Sequence, residues 1–98
     1  NKIEFKSFLT KIADDTKIAE GEKAVEDILR CIYRNQPIST KKIAQYTKLP
    51  LPIIAKVRTI LERSRILKRE KMGALYSEYG ISLIEKNLEF KLNHDLKC

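Results

Sequence analysis

All three prolines of the chain lie between positions 37 and 52, and they decide how its middle can fold. Proline has no amide donor and disfavours the α conformation in the residue before it. A helix therefore stops at or ahead of such a pair and restarts only where a proline falls in a first turn. Asn35-Gln36-Pro37 must end one helix, Thr47-Lys48-Leu49-Pro50 must be a tight connection, and Pro52 must sit in the first turn of another helix. One short helix fits between them, from about Thr40 to Tyr46, with Ser39 or Thr40 able to cap it through a side-chain oxygen. Ile38 is left in a short extended segment.

Apolar spacing supplies the flanking elements. Ala24, Val25, Ile28, Leu29 and Ile32 recur at helical intervals and predict a helix from about Glu20 to Tyr33. Ile54, Val57, Ile60 and Leu61 do the same for the helix that starts near Pro52 and runs to about Ser64. Ahead of these, Ile3, Phe8, Leu9 and Ile12 predict an amphipathic helix ending near Asp14-Asp15, able to dock on the main body or on a partner. Beyond Ser64, the runs 65–70 and 75–77 are joined by Lys71-Met72-Gly73-Ala74, a link of hairpin length, and read as a two-stranded β-ribbon. Ile81, Leu83, Ile84 and Leu88 predict a last helix from about Glu78 to Leu88, weakened at its start by Gly80. The expected division is an N-terminal helix over 1–18, a main domain over 19–88, and a tail or start of a connector over 89–98.

With 98 residues, 43% of them apolar and 34% charged, the chain suits one soluble domain with one core. No apolar run approaches the roughly 18 to 20 residues of a membrane span, and no signal-peptide pattern opens the chain, so a cytoplasmic location without membrane contact is expected. Cys31 and Cys98 cannot build a disulfide framework. A first residue Asn1 and a last residue Cys98 are expected of a piece of a longer protein.

The formal charge of +7 is concentrated. Residues 1–40 carry seven basic and seven acidic side chains, and residues 72–98 carry three and four. Residues 41–71 carry ten basic side chains against Glu62 and Glu70. A surplus confined to about thirty residues is the pattern of a face that meets phosphate or an acidic partner; a solvated lysine-rich surface gives the same count.

Helix, short strand, helix, tight turn, helix and hairpin is the order of a winged helix-turn-helix, and residues 37–70 resemble that superfamily. The fold class expected is mainly α with a small β-hairpin. The resemblance puts residues 52–64 in the place of the recognition helix. Its outward first turns carry Leu51, Pro52, Ile53 and Ala55, where a reader of bases presents hydrogen-bonding side chains. Only Lys56 and Thr59 are polar on that face. Lys41, Lys42, Lys48, Lys56, Arg58, Thr59, Arg63, Lys68, Arg69 and Lys71 are then the candidates for contact with nucleic acid or a partner, through phosphates rather than bases. Leu51, Pro52, Ile53 and Ala55 are the candidates for an apolar docking face. Unspecific or weakly specific DNA binding, and docking within a larger protein or a homodimer, both stay open.

Residues 28–67, containing Leu49-Pro50-Leu51-Pro52, and residues 79–87 are similar to the N-terminal domain of the branched-chain polyamine synthases, earlier described as predicted methyltransferases. In that family a winged-helix domain precedes a cysteine-bearing connector and a Rossmann-like transferase domain. The resemblance implies a parent that transfers an aminopropyl or methyl group to a polyamine-like amine, with this domain helping to dimerise or cover the catalytic one. The family's Gly-rich nucleotide-binding turn and acidic catalytic loop have no counterpart in these residues.

Other groups carry less. His94 and Cys98 stand four apart, but two ligands do not make a stable zinc site. Tyr33, Tyr46, Tyr76 and Tyr79 have no spacing that joins them into a stacking platform. Asp14, Asp15 and Glu85 lack a His, Ser or Cys at motif spacing, so no catalytic set is expected and no cofactor is implied.

Overall fold

In the computed structural model, residues 2–88 are described; the expected tail and the His94–Cys98 pair lie outside them. Among the described residues five helices follow one another: α1 (Lys2–Thr16), α2 (Glu22–Asn35), α3 (Thr40–Thr47), α4 (Leu51–Arg63) and α5 (Glu78–Asn87). The molecule is mainly α, and none of its described helices is long and apolar enough to cross a membrane.

The prolines act where chemistry places them. α2 ends at Asn35, ahead of Pro37. Ser39 caps α3, its hydroxyl oxygen accepting the Lys42 amide at 3.1 Å. Pro50 precedes α4, and its carbonyl accepts the first amide bonds of that helix, from Ile53 and Ile54. Between α3 and α4 the chain turns on Lys48, which adopts the left-handed conformation at φ 60°. Arg65 does the same after α4 at φ 62°, and Lys17 after α1 at φ 59°. A positive side chain thus stands just past three helix C-termini, where the backbone carbonyls concentrate negative potential.

One core unites the helices. Val25 and Leu29 from α2, Ile43 from α3, Val57 and Leu61 from α4, and Ile84 from α5 are fully shielded. α1 belongs to the same body: Phe5, Leu9, Ile12 and Ala13 are buried, and the helix packs on α2 and α4. Its buried stripe is Phe5, Leu9, Ile12 and Thr16, with Phe8 half-buried at its edge. The Thr16 hydroxyl donates to the Ile12 carbonyl at 2.7 Å, which satisfies its polar group inside the core.

The β-ribbon expected from the runs 65–70 and 75–77 is not seen as strands among the described residues; isolated bridges stand there instead. Leu67 pairs singly with Tyr76, and the neighbouring amides bond from Lys68 to Leu75 at 2.8 Å and from Ser77 to Ile66 at 3.0 Å. Ala74 pairs with Ile38, exchanging amide bonds of 3.1 and 2.6 Å. The segment 74–76 is thus shared between two partners and extends as a regular ladder with neither. Gly73 permits this: it sits at φ 142°, and a Cβ there would meet the Ile38 backbone at 2.7 Å. Gly80, expected to weaken the start of α5, has a packing reason instead. A Cβ there would lie 2.0 Å from the Ile66 carbonyl oxygen, so only glycine lets α5 close on Ile66.

Candidate nucleic-acid interface

Arg58 is the pivot of the basic region, and it is not a surface cation. Its side chain is 19% exposed. Its Nε donates to Glu62 Oε2 at 3.2 Å, Nη1 to Thr40 Oγ1 at 3.0 Å, and Nη2 to the Glu70 carbonyl at 2.8 Å. One guanidinium therefore ties the middle of α4 to the first residue of α3 and to the connection that leads towards Gly73. The planar fork of arginine suits such a three-way link, which the point charge of lysine cannot make. Arg58, expected among the phosphate contacts, spends its donors inside the protein.

That brace brings the remaining cations together. Lys41 and Lys42 stand exposed in the first turn of α3, beside Thr40. Arg69 and Lys71 flank Glu70 and are exposed, as is Lys68. Arg58 bonds Thr40 and Glu70 at once, so the chain beside Lys41 and the chain between Arg69 and Lys71 meet at one guanidinium although about thirty positions separate them. Arg63 and Arg65, both exposed, continue the band at the end of α4. The Arg58–Glu62 pair removes one charge of each sign from residues 41–71, leaving nine basic side chains against Glu70 alone.

The outward face of α4 is different. Leu51, Pro52, Ala55, Lys56, Thr59 and Arg63 are exposed along it, with Leu51 at 48%. Ile53, expected on the docking face, is half-buried and packs against the core. The Thr59 hydroxyl donates to the Ala55 carbonyl of its own helix at 3.0 Å, so its proton is already placed. Beside this stripe ends α1: Asp15 and Thr16 line a shallow groove with Ala55, Lys56, Thr59, Ile60 and Arg63. A carboxylate and a helix C-terminus thus border the face that a DNA reader would press into a groove. Lys48 stands apart, at the turn before α4.

Arg65 is the exposed cation of this region that was not among the expected contact residues. It lines a groove of about 580 Å³ with Glu62, Arg63, Leu67, Lys68, Arg69 and Ser77. Its charge was visible in the chain, but its grouping with Lys68 and Arg69 depends on the left-handed turn after α4.

The tyrosines are structural or scattered. Tyr76 is buried, its hydroxyl donates to the Leu29 carbonyl at 2.7 Å, and burial pushes its pKa well up. Tyr33 donates to Glu85, and that bond to a carboxylate raises its pKa. Tyr46 and Tyr79 are exposed on different helices. Among the described residues no group of three or more His, Cys, Asp or Glu is placed to hold a metal.

The chain is 56% identical over 97 residues to an uncharacterized protein of Methanocaldococcus jannaschii. The match covers 99% of this chain but 25% of that relative, so the chain spans about a quarter of the length of the curated protein it matches. No protein-family model matches the chain, and no solved structure matches it.

Proposed function

We propose that this chain is a non-catalytic winged-helix module of a larger protein, and that it holds duplex DNA by its phosphates without reading sequence. The fold part rests on the order of elements. α2, Ile38, α3, a three-residue turn, α4 and the paired segments 66–68 and 74–76 follow the succession of that superfamily, with α1 and α5 added at its ends. The functional part rests on one observation: Arg58 gathers exposed cations from the start of α3 and from residues 68–71 into one band continuous with the end of α4. Duplex DNA attracts such a band by counterion release, a term that carries no sequence information. The apolar first turns of α4 supply no hydrogen-bonding side chain to distinguish bases.

The test is binding of a random-sequence duplex to the chain, followed by fluorescence anisotropy across salt concentrations. A log–log slope of about −4 or steeper, as four or more phosphate contacts require, is the expected result. No binding at about 50 mM salt overturns the reading.

A second reading draws on exposed apolar side chains. Leu51 and Tyr46 are large, apolar and nearly half exposed, and the relative is about four times as long as this chain. They support a docking or dimerisation domain for a catalytic domain of the same protein, as in the polyamine synthase type of transferase. Sedimentation of the full parent against a Leu51→Glu variant decides it: an unchanged oligomeric state and activity sinks this reading.

A further inference from the structure

We propose that the groove at the base of the 65–77 segment is a built phosphate-binding site, and that adjacent phosphates of a polyanion seat there rather than along the outward face of α4. The inference rests on the nucleic-acid reading above and says where the backbone is gripped.

Four cations, Arg63, Arg65, Lys68 and Arg69, line this one groove. The single carboxylate among its lining residues, Glu62, accepts a hydrogen bond from Arg58. Like charges gathered around a concave surface repel one another, and the local low-dielectric wall strengthens that repulsion. An anion in the groove relieves it. A chain of phosphates fits the chemistry better than a carboxylate ligand, since several cations must be neutralised over a space of about 580 Å³.

The frame is rigid, which separates this groove from a loose array of surface lysines. The Ser77 hydroxyl donates to the Arg65 carbonyl at 2.6 Å and accepts the Gly80 amide at 2.9 Å. The Arg65 amide bonds to the Glu62 carbonyl at 3.0 Å, and the Lys68 amide to Leu75 at 2.8 Å. The backbone at Arg65 and at Lys68 is thus pinned to α4, to the cap of α5 and to the neighbouring extended segment. A backbone already fixed leaves only side-chain freedom to be lost when an anion arrives. The alternative seat, along α4, has two cations, Lys56 and Arg63, and these are offset in part by Asp15 and the C-terminus of α1.

The test compares two variants for duplex binding. In Arg65→Gly the side chain is removed at φ 62°, a conformation that glycine takes without strain, so the fold is kept. It is combined with Lys68→Ala. The control is Lys41→Ala with Lys42→Ala, which removes the same charge from α3. The groove variant is expected to bind roughly a hundredfold more weakly at about 50 mM salt and to lose about two units of salt slope. The control is expected to lose clearly less. If wild-type chain binds the duplex but the two variants weaken it equally, the groove is overturned and the unspecific band stands. If wild-type chain does not bind the duplex, the nucleic-acid reading falls, and titration with inorganic tripolyphosphate then decides the groove. Binding that Arg65→Gly with Lys68→Ala abolishes assigns it to free polyphosphate, and no binding overturns it.

Discussion

The two ends of α4 belong to one helix yet face opposite tasks. Its first turns show solvent Leu51, Pro52 and Ala55, with no side-chain cap; its last turn and the reversal after it show Arg63 and Arg65. Arg58 lies between them and belongs to neither. It counts as one more positive charge in the chain, but it is the clamp that sets α3 and residues 68–71 against α4. A run of basic residues is thus two things at once: a few internal donors that shape the surface, and the exposed side chains that this shaping assembles. The ways to break the comparison act first on the shape and then on the charge.

The largest effect is expected at Gly80. In Gly80→Ala the new Cβ falls 2.0 Å from the Ile66 carbonyl oxygen, a backbone atom that cannot swing away. α5 must shift, Ser77 loses its place, and urea denaturation should show a loss of about 3 kcal/mol or more, in the range of severe overpacking. Duplex binding should fall with it, because the wall of the basic groove moves. A variant as stable as wild type would mean that α5 does not hold this segment.

Arg58→Ala comes next, at about 2 kcal/mol of stability, the scale of lost charge-assisted hydrogen bonds and of carboxylate Glu62 left behind in a partly shielded place. The informative readout is the salt slope of duplex binding. If Arg58 is a clamp, affinity falls because the band disperses, and Arg58→Lys restores little of it, since an ammonium cannot reach three partners at once. Full rescue by lysine would make Arg58 an ordinary phosphate contact.

These two residues mark where sequence reasoning stops. α2, α3 and α4 are legible because their signals are local: an apolar stripe, a serine cap, a proline in a first turn. In α1 the spacing marks Leu9 and Ile12 but not Phe5, which is buried beside Ile66 and Leu83, distant in sequence. The two-stranded ribbon expected after α4 is not seen as strands; single bridges stand in its place, because Ala74 spends its amide and carbonyl on Ile38, thirty-six positions earlier. Of the interface, the charge was readable and the grouping was not: Arg58 meets Thr40 and Glu70 from 18 and 12 positions away, and no local pattern encodes that.

A smaller effect, of opposite sign, is expected at Arg65. The left-handed backbone costs a non-glycine residue on the order of 1 kcal/mol. Arg65→Gly should therefore leave stability unchanged or raise it by up to about 1 kcal/mol, the gain being offset in part by the greater freedom of glycine in the unfolded chain. Thermal unfolding measures it. A clear loss of stability would show that the arginine side chain supports the fold, which would remove the reason to assign it to a ligand.

The smallest effect is expected at the other end of the helix, and it sharpens the comparison most. Leu51 is 48% exposed, so Leu51→Ser should change stability by less than about 0.5 kcal/mol, as surface substitutions do. Serine at this position adds a hydrogen-bonding group to the first turn of α4, where a reader of bases would use one. If DNA is gripped by the basic band, duplex affinity and salt slope stay as they were, because α4 never enters the groove with this end. If instead Leu51→Ser changes affinity by several-fold and differently for two duplex sequences, the outward face of α4 touches bases after all. The apolar residues at its start would then be contacts to thymine methyl groups, not a surface left for protein.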